Sequence, residues 1–376
     1  MLKTLAITNY RSIRSLAISL NTVNIITGPN GSGKSNLYKA LRLLANSATN
    51  GVNNALISEG GLSSAFWAGS QKKLSYSSTM ECSRLKLGFS TDGLGYTISL
   101  GKPVPYQSAF DFDPEIKHEC IFSGPHYRLV SCSVQRKGPV LRVRNNKGWH
   151  TITQYIPNYD TIFDSFSNPM DVAEIFQTRE MIRNWRFYDH FRTDAAAPAR
   201  IPQFATRTTV LSHDGSDVAA AIQTIIEIGD YETLNRIIDH AFPGSKLGVS
   251  WNDEGLFSLA FHQKGLLRPL TGIELSDGTL RFILWVAALL TPRPPTLMVL
   301  NEPENSIHSD VLPALVKLIL YASQYSQIWV ISHSQPLIDI LKKHSDCKII
   351  ELEKQNSQTF VKGQGILDAP NWHWPD

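Results

Sequence analysis

Residues 28–35 read Gly-Pro-Asn-Gly-Ser-Gly-Lys-Ser, the spacing of a phosphate-binding loop. Each residue type has a chemical task. The glycines let the backbone turn its N–H groups inward around phosphate oxygens. Lys34 supplies a point charge for β- and γ-phosphates, and the Ser35 hydroxyl can ligate Mg²⁺. Asn30, Gly31, Ser32, Gly33, Lys34, Ser35 and Asn36 are therefore the expected nucleotide-binding residues, with ATP and Mg²⁺ as the ligands.

A second candidate is Thr296–Glu302, which reads TLMVLNE. An apolar run ending in a polar pair is the form of a core strand that delivers chemistry at its end. Glu302 can polarise an attacking water as a general base. Asn301 stands where a magnesium-binding acid is usual. Asn keeps an oxygen acceptor without the negative charge, so Mg²⁺ would be held less strongly, through water. The alternative is a pocket that binds nucleotide without hydrolysing it. His333 follows a further apolar run, Ile328–Ser332, and can touch the γ-phosphate or the water. A histidine there can also be a plain strand-end hydrogen bonder. In Leu275-Ser-Asp-Gly-Thr279, Ser276 and the Gly278 amide offer a second anion-binding surface at a helix start. A simple N-cap by Ser276 or Asp277 is the competing reading.

These residues need particular elements behind them. Val23–Thr27 is a β-branched apolar run suited to a buried strand, and it leads straight into the loop. Leu37, Leu41 and Leu44 give the following segment one apolar helical face. Leu2–Ile7 and Ile13–Leu20 alternate as two strands about a turn at Asn9–Ser12. Strands are expected at Arg84–Phe89, Tyr96–Leu100, Glu119–Phe122, Leu129–Val134 and Val140–Arg144. Helices are expected over 171–192 and 217–240, the second broken at Gly229. A strand pair follows near Leu247–Trp251 and Phe257–Phe261. Then come a helix at Thr279–Leu290, the Thr296–Leu300 strand, a helix over Val311–Tyr325 and a last strand pair at Lys348–Leu352 and Thr359–Val361.

The chain has 376 residues, 42 % of them apolar, enough for a large core and against disorder. A formal charge of +3 excludes a uniformly basic nucleic-acid binder, although not a local basic patch. Cys82, Cys120, Cys132 and Cys347 make no C-x-x-C pair, so reduced, mostly buried thiols are expected rather than a disulfide framework. The longest apolar run, Phe282–Leu290, is too short to cross a bilayer, and the N-terminal residues do not form a signal peptide. A cytoplasmic protein with no membrane partner is the expectation. No H-N-H set or metal-spaced His/Cys group suggests a nuclease.

The four segments, in this order, resemble the AAA-family, ABC-type ATPase heads of the RecF, SMC and OLD-like group. By that resemblance Gly28–Ser35 is the Walker A loop, Leu275–Thr279 the signature motif, and Val299–Glu304 the Walker B strand. Asn305–Asp310 then takes the D-loop position and His333 the switch-histidine position. The implied fold is α/β, a P-loop NTPase of ABC-ATPase head type: a mixed central sheet, an antiparallel β lobe and a helical insertion. The lobes expected are 1–165 with Walker A, 166–244 as the insertion, and 245–376 with signature, Walker B and switch histidine. No coiled coil and no topoisomerase-primase nuclease domain is read. Gln135, Gln154, Gln177 and Gln203 all lack the context of a glutamine loop. Two heads would close face to face as a homodimer. Ser276 of one would complete the site holding Lys34 and Glu302 of the other. The partner so controlled would be DNA or an effector protein, in DNA repair or phage defence.

Two basic runs bear on that partner. Arg179, Arg183 and Arg186 are expected on one helical face, with Arg192, Arg200 and Arg207 beyond and Trp185, Phe187, Tyr188 and Phe191 between. Arg136, Lys137, Arg142, Arg144 and Lys147 form the other, on strands. Each run also fits a salt-bridged, solvated face.

Overall fold

The computed structural model describes residues 1–49, 51–69, 84–103, 113–166, 172–204, 206–365 and 367–375. The chain divides into two compact units. One holds Met1–Asn21, Gly28–Trp185 and Ile350–Asp376, and the other holds Thr22–Thr27 and Arg186–Ile349. Cys82 lies outside the described residues.

In the first unit β1 (Leu2–Tyr10) and β2 (Ile13–Ser19) form the expected hairpin. Its turn puts Asn9 and Arg11 at positive φ. β3 (Val23–Thr27) belongs to the second unit. Back in the first unit, α1 (Lys34–Asn46) buries Leu37, Leu41 and Leu44, the face its spacing called for. Two short helices that the apolar pattern does not reveal follow, α2 (Val52–Ser58) and α3 (Gly61–Ala65). The chain then builds a meander of β4 (Arg84–Thr91), β5 (Leu94–Gly101), β6 (Glu115–Ser123), β7 (Cys132–Lys137), β8 (Val140–Asn145) and β9 (Gly148–Thr153). With β1 and β2 it makes an eight-stranded antiparallel sheet in the order β2-β1-β4-β5-β6-β7-β8-β9. A strand starting at Leu129 was expected. Leu129–Ser131 is instead a 3₁₀ turn, and pairing starts at Cys132. α4 (Ile162–Ser165) and α5 (Ala173–Arg183) complete this stretch.

The helix expected over 171–192 stops at Arg183. Asn184 caps it, and β10 (Arg186–Tyr188) pairs in parallel with β15 (Leu297–Asn301) of the second unit. The Arg-Phe-Tyr triplet prefers the pleated surface. Arg186 therefore leaves the helical arginine face.

The remaining second-unit elements are β11 (Gln203–Phe204), α6 (Val218–Ile228), α7 (Tyr231–Ala241), β12 (Lys246–Trp251), β13 (Leu256–His262), β14 (Leu270–Thr271), α8 (Asp277–Leu289), α9 (Leu312–Ala322), β16 (Gln327–Ile331) and α10 (Gln335–Leu341). The strands β10, β15, β16 and β3 lie side by side in parallel, with register pairs such as Val299↔Trp329 and Val330↔Ile25. Both faces are covered, so these strands read as unbroken apolar runs. Ile25, Leu300, Val330, Phe282, Ile283 and Leu315 are among the fully buried side chains of their core. β17 (Cys347–Gln355) leads back to the first unit, where it forms an antiparallel hairpin with β18 (Gln358–Val361).

Candidate functional site

The phosphate loop begins at the residue after β3. Gly28, Gly31 and Gly33 sit at φ 143°, 77° and 111°, a left-handed region that glycine alone enters without strain. Space is also limiting. A Cβ on Gly28 would fall 2.2 Å from the Leu352 carbonyl oxygen, and one on Gly33 would fall 2.2 Å from Thr359 Oγ1. Lys34 Nζ donates to the Gly28 and Pro29 carbonyls at 2.5 and 3.2 Å, which holds the ammonium over the loop. Ser35, Asn30 and Gly31 are exposed, whereas Ser32 is buried.

Thr359 is a residue the sequence reading missed. It is fully buried on β18, 327 residues from the loop it touches. Its hydroxyl donates to Ser32 O at 2.9 Å and lies 2.7 Å from Ser12 Oγ. Its amide donates to Ser12 O at 2.8 Å. Asn36 points into the same network, donating to Ser12 Oγ at 2.7 Å. The turn of the first hairpin and the last strand thus fix the loop from two sides.

In the second unit β15 ends at Asn301, half-buried and neutral. Glu302 follows at φ 49°, and its amide donates to Ile331 O at 2.8 Å. A non-glycine residue in this region costs roughly 1–3 kcal/mol, and surrounding contacts must impose it. The Glu302 carboxylate accepts from Asn305 Nδ2 at 2.7 Å and lies 3.4 Å from His333 Nδ1. It is 38 % exposed and the His333 ring 54 %, so both remain open to a reactant. Glu304 serves a different end. Its side chain is 7 % exposed and accepts from Ser332 Oγ, the His333 amide and the Ser334 amide at 2.5, 3.3 and 3.2 Å. These bonds fix the turn that presents His333.

Ser276 caps α8, accepting from the Thr279 amide at 3.2 Å, and stays exposed. A Cβ on Gly278 would fall 2.5 Å from Ser306 O, so glycine is needed where α8 meets the Asn305–Ser306 turn. Two buried arginines brace this junction. Arg281 donates to Asn305 O at 3.2 Å and to Phe191 O at 3.0 Å, and burial pulls its guanidinium below its ordinary pKa. Arg200 donates to Gly272 O, Leu275 O and Asp277 Oδ1 at 2.9, 2.6 and 2.6 Å. The helix that Ser276 caps is thereby linked to Glu302 within one unit, through Arg281 and Asn305.

Other basic residues also find partners. Arg183, Arg192 and Arg207 pair with Glu180, Asp194 and Glu227. Arg136 is fully buried against Glu119. The helical stripe and the full strand run do not form as the spacing suggested. Arg200 and Arg136 are interior struts. Among the described residues no group of three His, Cys, Asp or Glu gathers as a metal site. Ser35 in the first unit offers a hydroxyl and Asn301 in the second an amide oxygen, both neutral donors of the kind Mg²⁺ accepts alongside phosphates and water.

Residues 145–339, more than half of the chain, match the family described as "AAA domain, putative AbiEii toxin, Type IV TA system". Residues 1–96 match the family described as "AAA ATPase domain". The chain belongs to the AAA ATPase family. None of the curated proteins matches this AAA protein. Among solved structures it is similar to an SMC head bound to the C-winged helix domain of ScpA. That head is 13 % identical, with a TM-score of 0.52, covering 96 % of this chain and 97 % of that one. It is also similar to an SMC head domain with an extended coiled coil, bound to the C-terminal domain of ScpA, derived from Pyrococcus furiosus. There the identity is 12 %, the TM-score 0.50 and the coverage 96 % and 95 %. The fold is that of an ABC-ATPase head, a P-loop NTPase, as expected. No helix among the described residues is long and apolar enough to cross a membrane.

Proposed function

We propose that this AAA protein binds ATP with Mg²⁺ and hydrolyses it. The observation that carries the reading is Glu302, held at positive φ beyond a buried strand, with Asn305 and His333 on its carboxylate. Backbone amides over Asn30–Asn36 would receive the phosphates, and Lys34 would exchange its carbonyl partners for phosphate oxygens. Ser35 and Asn301 would hold Mg²⁺, which when bound neutralises phosphate charge. Glu302 takes the proton of the attacking water, and His333 steadies the water or the γ-phosphate. Ser276 and Gly278, on an open helix start, would meet the nucleotide of a second copy, so that ATP closes a homodimer. Closure would control DNA or an effector protein. The toxin–antitoxin wording of the matched family supports a defence setting over repair.

ATP turnover by the purified protein, set against Glu302→Gln, tests this. Turnover no higher than in the variant overturns hydrolysis. Asn301 supports the second reading, an ATP-gated module that does not hydrolyse. Tight ATP binding, near-zero turnover and a rise on Asn301→Asp would favour it.

A further inference from the structure

The eight-stranded sheet has two unlike edges. β2 is covered, because Thr359 N donates to Ser12 O at 2.8 Å and Gln364 Nε2 to Ala17 O at 3.1 Å. At the other end β9 is terminal and pairs only with β8 among the described residues. Gly148–Thr151 keeps regular register with Asn145–Arg142, the bulge falling beyond it, so a straight run of backbone faces outward. A bare edge of this kind invites another strand, and proteins usually cover or guard it.

The surroundings of β9 specify what would fit. Residues 120–159 contain six Lys or Arg and no Asp or Glu. Arg136 is neutralised in the interior, but Lys137, Arg142, Arg144 and Lys147 are exposed. Arg142 and Arg144 share a sheet face with Thr151 and Trp149, and the Arg144 guanidinium sits 5.8 Å from the Trp149 ring centre. Apolar side chains are exposed in the same segment: Arg144 donates to the Leu129 and Val130 carbonyls at 2.9 and 3.3 Å, Leu129 is 76 % exposed and Val130 74 %, and Ile152 on β9 is 46 % exposed. Trp149 and Tyr155, 40 % and 88 % exposed, offer rings for stacking, but aliphatic side chains beside a bare backbone edge suit an added strand rather than a nucleic acid.

We propose that β9 is a docking strand for a partner protein, which adds an extended segment alternating carboxylate and apolar side chains. The backbone supplies the hydrogen bonds, the apolar residues the burial, and Arg142 and Arg144 the charge selection. This surface does not depend on the nucleotide reading.

Display of random peptides of about twelve residues against the full-length protein tests the proposal. Enriched sequences should alternate Asp or Glu with apolar residues. A synthetic copy of one should bind at least about tenfold more weakly after two interior residues become proline, which removes donors. Arg142→Glu with Arg144→Glu should weaken it by a similar factor, with the melting temperature as the check on folding. A milder pair, Lys147→Glu with Ile152→Thr, should lower affinity less. No enrichment, enrichment without acidic alternation, or binding indifferent to both variants overturns the proposal. So does binding of an oligo-dT of about 20 nucleotides through Arg142 and Arg144 with no peptide selected, which would make the surface a nucleic-acid site.

Discussion

Glu119 and Glu302 are carboxylates handled in opposite ways. Glu119, on β6, is fully buried and accepts from Arg136, Tyr96 and the Ile162 amide at 2.8, 2.7 and 3.1 Å. Arg136 is saturated in turn by the Gly138 and Pro157 carbonyls, both at 2.7 Å, and by the Asp160 carbonyl. Glu302 is open to solvent, on a strained backbone, and held by two groups that leave acceptor capacity free. A buried charge with both oxygens hydrogen-bonded maintains the fold. An exposed charge whose backbone is forced into place is available for chemistry.

The comparison breaks most sharply at Arg136. Arg136→Met leaves Glu119 uncompensated and should cost about 3–5 kcal/mol by denaturant unfolding. Burial already holds the Glu119 carboxyl above its ordinary range, opposed by Arg136. A carboxyl raised on folding loses stability as pH climbs from its unfolded value of about 4.3 through its folded value. Without Arg136 that window extends upward, so the variant should be penalised more at pH 8 than at pH 5. Equal penalties at the two pH values would remove charge from the explanation.

Glu302→Gln should do the reverse. Turnover should fall by about 10²–10⁴-fold, the range of general-base catalysis. Unfolding free energy should stay within about 0.5 kcal/mol, as for a surface substitution. A stability loss comparable to that of Arg136→Met would erase the distinction between the two sites.

A third substitution sharpens the comparison for the phosphate loop. Thr359→Val keeps shape but removes the hydroxyl that donates to Ser32 O, and leaves Ser12 Oγ short of a partner. ATP binding by nucleotide titration should weaken by about 1–2 kcal/mol, roughly tenfold, while Thr359→Ser should retain most of it. Full affinity in Thr359→Val would show that the glycines and β3 shape the loop unaided.

These residues also show which features a sequence makes legible. Lys34, Glu302 and His333 stand out because each follows an apolar strand, and strand ends are local features of sequence. Val23–Thr27, Thr296–Leu300 and Ile328–Ser332 are strands in the structure within a residue at each end. Arg136 and Arg200 were legible only as charges. Their burial depends on Glu119 across the β6–β7 pair and on carbonyls at Gly272 and Leu275, which no local spacing reports. Thr359 was hidden for the same reason, as its partners are 327 and 347 residues away. Arg186 failed differently. Its i+7 spacing from Arg179 fits a helix, but pairing with β15 overrides that periodicity.

The smallest expected effect separates the two parts of Glu302's support. Asn305 reaches the carboxylate through Nδ2, while its own carbonyl accepts from Arg281. Asn305→Ala removes the first bond and keeps the second, because the backbone is unchanged. Glu302 would then be positioned by its backbone and His333 alone. The expected loss is about 1 kcal/mol, a several-fold drop in kcat with KM little altered. His333→Ala should give a drop of similar size if the two side chains share the work. If Asn305→Ala alone lowers kcat as far as Glu302→Gln, orientation by Asn305 governs the carboxylate and the strained backbone does not suffice. If it changes nothing, the φ of 49° alone sets the direction of the side chain.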